Sequence, residues 1–137
     1  MNKIIITGHG KYAEGLYSSL SMLSGNLENV IAINFEKSDT EDILLKKYQD
    51  VINNEDSYIF ACDLLGGTPY KMSAKTAYDN DNVKVVTGAN LGGIIDTNFK
   101  MKNLSLEDAT NNLLEASKKN LTIFEIKQEE NNNGEGI

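Results

Sequence analysis

The chain has 137 residues, of which 40% are hydrophobic and 24% charged, a composition typical of a single globular domain. Its formal net charge of −7 at pH 7 argues against a nucleic-acid partner, which needs clustered lysine and arginine, but not against a basic protein partner. The apolar runs are too short for a membrane span, no signal-peptide cleavage site follows the first strand pattern, and the one cysteine cannot form a disulfide framework, so we expect a cytoplasmic protein.

The first half of the chain alternates between strand and helix patterns. A run of three isoleucines beginning at Ile4 predicts a buried strand that ends in a glycine-flanked turn at His9, and a helix pattern follows the turn. A second apolar run predicts a second strand, and Asp39 or Thr40 can cap the helix after it. The predicted strands are 1–7 and 30–35, and the predicted helices are 11–24 and 40–53.

The second half continues the alternation and ends in a polar tail. The only proline of the chain, Pro69, suits the first turn of a helix, where its missing N–H costs nothing. The predicted strands are 57–62, 83–87 and a short last strand over 121–126, and the predicted helices are 68–78, 90–98 and 105–118. One domain therefore covers 1–126, and the tail 127–137, which has no core-forming residue before Ile137, is predicted to be disordered.

Strands that alternate with helices predict an α/β fold with three layers, α/β/α, around a mostly parallel sheet. The first four strands favour the sheet order 2-1-3-4, in which the winding direction reverses between strands 1 and 3. The loops after these two strands flank the crevice where open α/β sheets bind ligands. These loops carry His9 and Asp63.

His9 and Asp63 are the candidate catalytic residues. The unperturbed pKa of histidine lies near neutral pH, so a neutral imidazole can act as a nucleophile. An aspartate on the adjacent strand end can accept the N–H of one ring nitrogen, which leaves the lone pair of the other nitrogen free for attack. The alternatives are a turn histidine with only a structural role and an aspartate that caps a helix or turn.

Two predicted helix starts face the same crevice and offer a site for a phosphoryl group. Unpaired N–H groups and a partial positive charge at a helix start favour bound phosphate. The candidate phosphoryl-binding residues are Gly10 on the first of these loops and Gly66, Gly67 and Thr68 on the second. The alternative for the glycine pair is a tight strand-to-helix turn that binds nothing.

Other chemistries fit the sequence less well. The segment Gly8-His9-Gly10-Lys11 lacks the spacing of a P-loop, and no Gly-x-Ser-x-Gly nucleophile elbow is present. One histidine and one cysteine, far apart in sequence, make no zinc site. A phospho-aspartate receiver would need acidic metal ligands after the first strand, where this chain has Thr7-Gly8-His9. We therefore expect neither a metal nor a cofactor.

The order and spacing of four segments resemble the enzyme IIA domain of the mannose-class sugar phosphotransferase system over residues 1–126. The segments are Gly8-His9-Gly10, Ala13-Glu14-Gly15-Leu16, Asp63-Leu64-Leu65-Gly66-Gly67-Thr68-Pro69-Tyr70 and Thr87-Gly88-Ala89-Asn90-Leu91. The first segment alone is a weak signal, but the set is specific.

The resemblance implies a cytoplasmic phosphocarrier that contacts proteins and not sugar. Its histidine, matching His9, would take a phosphoryl group from the phosphocarrier protein HPr and pass it to an enzyme IIB, with the membrane involved only through the transporter complex. The aspartate matching Asp63 would pair with that histidine. The family also implies a homodimer in which the last strand, 121–126 here, is exchanged and joins the partner's sheet antiparallel, as an apolar edge strand requires. The alternative is a phosphoryl donor or regulatory module for a system of the dihydroxyacetone kinase type.

One segment departs from the family pattern. Where the family often has a proline and a methionine-leucine run after the motif ending at Leu91, this chain has Gly92-Gly93. We expect these glycines to loosen the helix that begins there. A loosened helix would give the loop a different partner surface.

Overall fold

A computed structural model of the chain describes residues 1–126, and the predicted disordered tail lies outside the described residues. The described residues form four strands, five α-helices and one turn of 3-10 helix. In chain order these are β1 (Asn2–His9), α1 (Tyr12–Leu23), β2 (Val30–Phe35), α2 (Glu41–Val51), β3 (Ser57–Cys62), α3 (Thr68–Asp79), β4 (Val83–Thr87), α4 (Leu91–Lys100), the 3-10 turn (Met101–Asn103) and α5 (Leu106–Lys119).

The four strands form one parallel sheet with the order β2-β1-β3-β4, which confirms the predicted topology. The chain leaves β1 toward β2 and returns past β1 to build β3, so the winding direction reverses between β1 and β3. Thr7 of β1 lies opposite Cys62 of β3 in the register. This register places the residues that follow them, His9 and Asp63, at the same carboxyl edge of the sheet.

Alternating side chains of the strands supply two cores, one on each face of the sheet. Ile4 and Ile6 of β1 pack with α1, α4 and α5, whereas Ile5 packs with α2 and α3. The central strands β1 and β3 are buried almost throughout, as expected when helices cover both faces. The three-layer α/β/α prediction is therefore confirmed.

Side-chain caps set the starts of three helices. The Thr40 hydroxyl accepts the N–H of Ile43 at the start of α2, and the Ser105 hydroxyl accepts the N–H of Asp108 at the start of α5. At the start of α4 the side chain of Asn90 accepts a backbone N–H. These caps lie where helix starts are predicted from the sequence.

The glycine-containing helix predicted over 90–98 forms as α4, and its loosening stays a prediction. The helix runs over ten residues, and its two glycines let α5 approach closely. A Cβ atom at Gly93 would collide with the Ser117 side chain and lie 2.9 Å from the Ser117 Cα, and one at Gly92 would collide with Asn120. Glycine serves here to bring two helices together.

Residues 121–126 form no strand within the described chain, contrary to the last strand expected from the sequence. Four apolar side chains of this segment are 83–86% exposed, namely Leu121, Ile123, Phe124 and Ile126. Pairing of this segment with a second chain stays a prediction. In the described part of the chain, no helix is long and apolar enough to cross a membrane.

Candidate functional site

His9 and Asp63 meet at the carboxyl edge of the sheet. The strand β1 continues through His9, two residues beyond its predicted end, and Asp63 directly follows β3. Asp63 Oδ2 accepts both the backbone N–H of His9 and the ring Nδ1–H, each over 2.8 Å. The structure thus brings together the two candidate catalytic residues that the sequence places on neighbouring strand ends.

The hydrogen bond to Asp63 determines which ring nitrogen of His9 is available. With Nδ1 donating its proton to the carboxylate, Nε2 carries the lone pair. The side chain of His9 is 47% exposed, and that of Asp63 is only 13% exposed. Nε2 forms no hydrogen bond with any side chain or backbone group of residues 1–126. The outward nitrogen can therefore be reached from solvent while the inward one is held.

The start of α3 lies over the free side of the imidazole. Gly66 adopts a left-handed φ of 88°, and Gly67 then caps the helix, with Thr68 as the first helical residue. A Cβ atom at Gly67 would lie 2.7 Å from His9 Cε1 and 3.4 Å from Nε2, so only glycine lets the backbone come this close. The positive end of α3 therefore lies close to the His9 imidazole, and Thr68, the first residue of the helix, is half-buried.

The start of α1 is less free than the sequence alone implies. Gly10, with a left-handed φ of 60°, donates its N–H to the Phe35 carbonyl over 2.8 Å. The N–H of Glu14 in the first turn donates to the side chain of Asn34. Two of the backbone donors near this helix start are thus already bonded within the chain.

Three further residues enclose the pair, and sequence reasoning missed two of them, Phe35 and Tyr12. Phe35 meets the His9 ring edge to face at 5.8 Å between centroids. Tyr12 packs beside Asp63, and burial followed by the nearby Asp63 charge raises its pKa. A Cβ atom at Gly8 would lie 2.9 Å from the Asp63 carboxylate, so this glycine admits the aspartate. The Gly-His-Gly turn was the only signal for Gly8, and no sequence signal identified Phe35 or Tyr12.

The site is open and lies apart from the large surface cavity of the molecule. That cavity, of about 920 Å3, is lined by Met1, Leu23 and Phe99 and sits at the opposite edge of the sheet. No three histidine, cysteine, aspartate or glutamate side chains of residues 1–126 converge as a metal site would require. The His9 imidazole therefore lies at an open edge of the sheet, with its side chain 47% exposed.

The fold and the site together define an α/β protein with a histidine–aspartate pair at the carboxyl edge of a parallel sheet. A family model described as the fructose IIA component of the phosphotransferase system, EIIA-man, matches residues 3–114. The chain therefore belongs to the EIIA family of the mannose, fructose and sorbose class.

Relatives with known names agree with this assignment. The fructose-specific EIIA component of Bacillus subtilis is 29% identical over 126 residues, covering 90% of this chain and 86% of the relative. The mannose-specific EIIAB component of Escherichia coli K12 is 30% identical over 97 residues, which span 69% of this chain but only 30% of that longer protein.

Solved structures share the fold. An EIIA component from Streptococcus agalactiae superposes with a TM-score of 0.84 at 28% identity, covering 90% of this chain and 97% of the other. A mannose/sorbose-specific IIA subunit from Enterococcus faecalis superposes with a TM-score of 0.85 at 20% identity, over 94% and 98% of the two chains. These matches confirm the recognition of the enzyme IIA family from the sequence.

Proposed function

We propose that the chain is a phosphohistidine carrier in which Nε2 of His9 accepts a phosphoryl group from HPr and passes it to an enzyme IIB. The observation that carries this proposal is the 2.8 Å hydrogen bond from Nδ1 to Asp63, which holds the ring with its other nitrogen exposed. EIIA components of the phosphotransferase system are phosphotransfer proteins, so family and geometry point to the same chemistry.

The transfer is a nucleophilic substitution at phosphorus. The Nε2 lone pair forms the new nitrogen–phosphorus bond as the bond between phosphorus and the donor's imidazole breaks, and the donor ring leaves with that electron pair. The Nδ1 proton stays on His9, so the ring becomes a phosphorylated imidazolium whose positive charge is balanced by Asp63. In this proposal the Thr68 hydroxyl and the positive start of α3 stabilise the equatorial oxygens, where the transition-state charge is spread. Transfer to enzyme IIB reverses these steps.

The two protein partners reach the same exposed edge in turn. The net charge of −7 favours encounter with a basic surface around the donor histidine. The exposed side chains of Leu64 and Leu65, directly after Asp63, add apolar contact area at the rim of the site. We place this exchange in the cytoplasm, with the membrane involved only through the transporter.

The test is transfer of radioactive phosphate from labelled phosphoenolpyruvate through enzyme I and HPr. The wild-type chain should take up label, and His9→Ala should take up none while its circular dichroism spectrum stays unchanged. Label on the His9→Ala variant at the wild-type level would refute the proposal. Presenting the labelled chain to an enzyme IIB and to a dihydroxyacetone kinase subunit identifies the acceptor and separates the two candidate roles.

We further propose that the chain forms a homodimer by exchange of residues 121–126. The apolar side chains of this segment are exposed, and β4 is an edge strand of the described sheet with an unpaired side. Phe124→Asp places a charge in the proposed strand and should shift the chain to monomer in sedimentation velocity, whereas Thr122→Ser should not. A wild-type chain that sediments as a monomer at all concentrations would contradict the exchange.

A further inference from the structure

A buried polar network lies directly beneath His9 and Asp63, and the transfer chemistry described above does not use it. Its side chains are Thr7, Tyr48, Cys62 and Ser73, all with 0% exposure. Thr7 precedes His9 by two residues on β1, and Cys62 precedes Asp63 on β3. Buried polar groups need partners, so their placement under the site calls for an explanation.

The network converges on one backbone carbonyl, that of Pro69. The Ser73 hydroxyl donates to this oxygen over 2.7 Å, and the Tyr48 hydroxyl approaches it at 3.4 Å. The Thr7 and Tyr48 hydroxyls lie 2.7 Å apart, and Cys62 Sγ lies 3.3 Å from the Ser73 hydroxyl. If the Thr7 hydroxyl donates to the Tyr48 oxygen and the Tyr48 hydroxyl donates to the Pro69 carbonyl, both hydroxyl protons have an acceptor. Burial raises the pKa of Tyr48, so its hydroxyl keeps its proton at neutral pH.

Pro69 lies in the first turn of α3, the turn that faces His9. In the loop before this turn Leu64 and Leu65 are exposed, and the Gly67 N–H donates to the Leu64 carbonyl at 3.3 Å. The buried polar network therefore anchors the turn from its core side, at Pro69. Through Tyr48, on α2, that anchor connects to β1 two residues before the reactive histidine.

We propose that Tyr48 is a positioning residue for phosphoryl transfer. Its hydroxyl joins Thr7 to the Pro69 carbonyl and thereby holds the first turn of α3 at the distance from His9 that the transfer requires. The proposal rests on the proposed phosphocarrier function and adds a residue to it that does not touch the phosphoryl group. Transfer depends on close placement, since a displacement of about 1 Å can cost about 100-fold in rate.

Tyr48→Phe tests the proposal, and Tyr58→Phe is its matched control. Phenylalanine keeps the edge-to-face packing of residue 48 on Phe60, at 4.7 Å between centroids, and removes only the hydroxyl. Tyr58 lies in the same core and is 1% exposed, but its hydroxyl accepts the Asn53 N–H at the opposite edge of the sheet. Both variants lose one buried hydroxyl, so a merely structural effect should be similar in the two.

The first readout is the Cε1–H resonance of the imidazole in proton NMR, which is a single signal because His9 is the only histidine. The start of α3 lies against this carbon, so Tyr48→Phe should shift or broaden the signal and Tyr58→Phe should leave it in place. The second readout is the rate of phosphoryl uptake from HPr. We expect Tyr48→Phe to lower the rate constant at saturating HPr by about tenfold, with the control within about twofold of wild type.

Each outcome decides the question. A Tyr48→Phe signal at the wild-type position, or an uptake rate equal to that of Tyr58→Phe, overturns the proposal. A displaced signal combined with no uptake by any variant, wild type included, would instead overturn the phosphocarrier function and leave the anchor in place. If Tyr48→Phe does not fold, Thr7→Val removes the other end of the same hydrogen bond in a β-branched strand residue and takes its place under the same criteria.

Discussion

One carboxylate oxygen of Asp63 holds His9 at two points, the ring and the backbone. Oδ2 lies 2.8 Å from both Nδ1 and the main-chain nitrogen of His9, whereas Oδ1 is buried without a hydrogen-bond partner among residues 1–126. A single oxygen thus fixes the orientation of the ring and the end of β1 that carries it. The arrangement depends on a group that accepts twice and carries negative charge.

Asp63→Asn should therefore slow phosphoryl uptake strongly. The amide oxygen can take the place of Oδ2, but its NH2 group then occupies the buried Oδ1 position, where it finds no acceptor, and the charge opposite the imidazolium is lost. We expect uptake to slow by about 100-fold and the free energy of unfolding to fall by about 1–3 kcal/mol. The measurements are initial rates of label uptake and urea unfolding.

The control for this charge change is Asp56→Asn. Asp56 pairs with Lys3 and with the amino terminus at the opposite edge of the sheet, so the substitution removes one carboxylate without touching the site. Its uptake rate should equal that of wild type. Equal rates for Asp63→Asn and Asp56→Asn would remove Asp63 from the mechanism.

Alanine should affect different properties at the two adjacent glycines that begin α3: the phosphoryl uptake rate at Gly67 and the stability at Gly66. Gly67→Ala places its Cβ 2.7 Å from His9 Cε1, so either the ring leaves Asp63 or the helix start retreats. Gly66→Ala meets nothing within 4 Å but must adopt a φ of 88°, which costs about 1–2 kcal/mol. We expect Gly67→Ala to slow uptake by about tenfold or more at near-normal stability, and Gly66→Ala to lower stability with a smaller effect on rate. Comparable uptake by the two variants would show that the close approach to His9 is not needed.

Local pattern was enough to predict most of the fold. The strands β2, β3 and β4 begin and end where their apolar runs do, because each run is bounded by polar or turn-forming residues. The proximity of His9 and Asp63 followed from the sheet order alone, since residues after neighbouring parallel strands share one edge.

Features that depend on contacts distant in sequence could not be predicted. Gly93 looks like a helix breaker until Ser117 is known to lie against it, and the link from Tyr48 to Thr7 joins residues 41 positions apart. The segment 121–126 has a strand pattern, but a strand forms only when it pairs with another strand, and within the described residues this segment pairs with none.

Glycines inside two helices should show opposite effects on stability. Gly93→Ala forces its Cβ against Ser117, including the backbone Cα at 2.9 Å, and should lower the free energy of unfolding by about 1–3 kcal/mol. Gly15→Ala in α1 meets nothing within 4 Å and should raise it by about 0.4–1 kcal/mol through the higher helix propensity of alanine. Urea unfolding measures both. A stabilising Gly93→Ala would mean that α4 and α5 are not in close contact in solution.

The buried thiol of Cys62 gives the chain a stability that declines in alkali. Burial raises the pKa of Cys62 from 9.0 to about 11, which means that the folded state holds the thiol proton more tightly than the unfolded state. The stabilising contribution is therefore complete below about pH 9 and is lost as the pH rises through about 11. In Cys62→Ser the serine at position 62 does not titrate in this interval. All other titrating side chains are common to the variant and the wild type.

The difference in unfolding free energy between wild type and Cys62→Ser isolates this thiol. Between about pH 8 and pH 11 the unfolding free energy of the wild type should fall relative to that of Cys62→Ser by on the order of 2 kcal/mol, because one pKa unit corresponds to about 1.4 kcal/mol. Urea unfolding of both proteins at several pH values, with reductant present, gives the curve. A difference that stays constant across this interval would mean that Cys62 titrates alike in the folded and unfolded chains, and hence that the floor of the site beneath Asp63 is open to water.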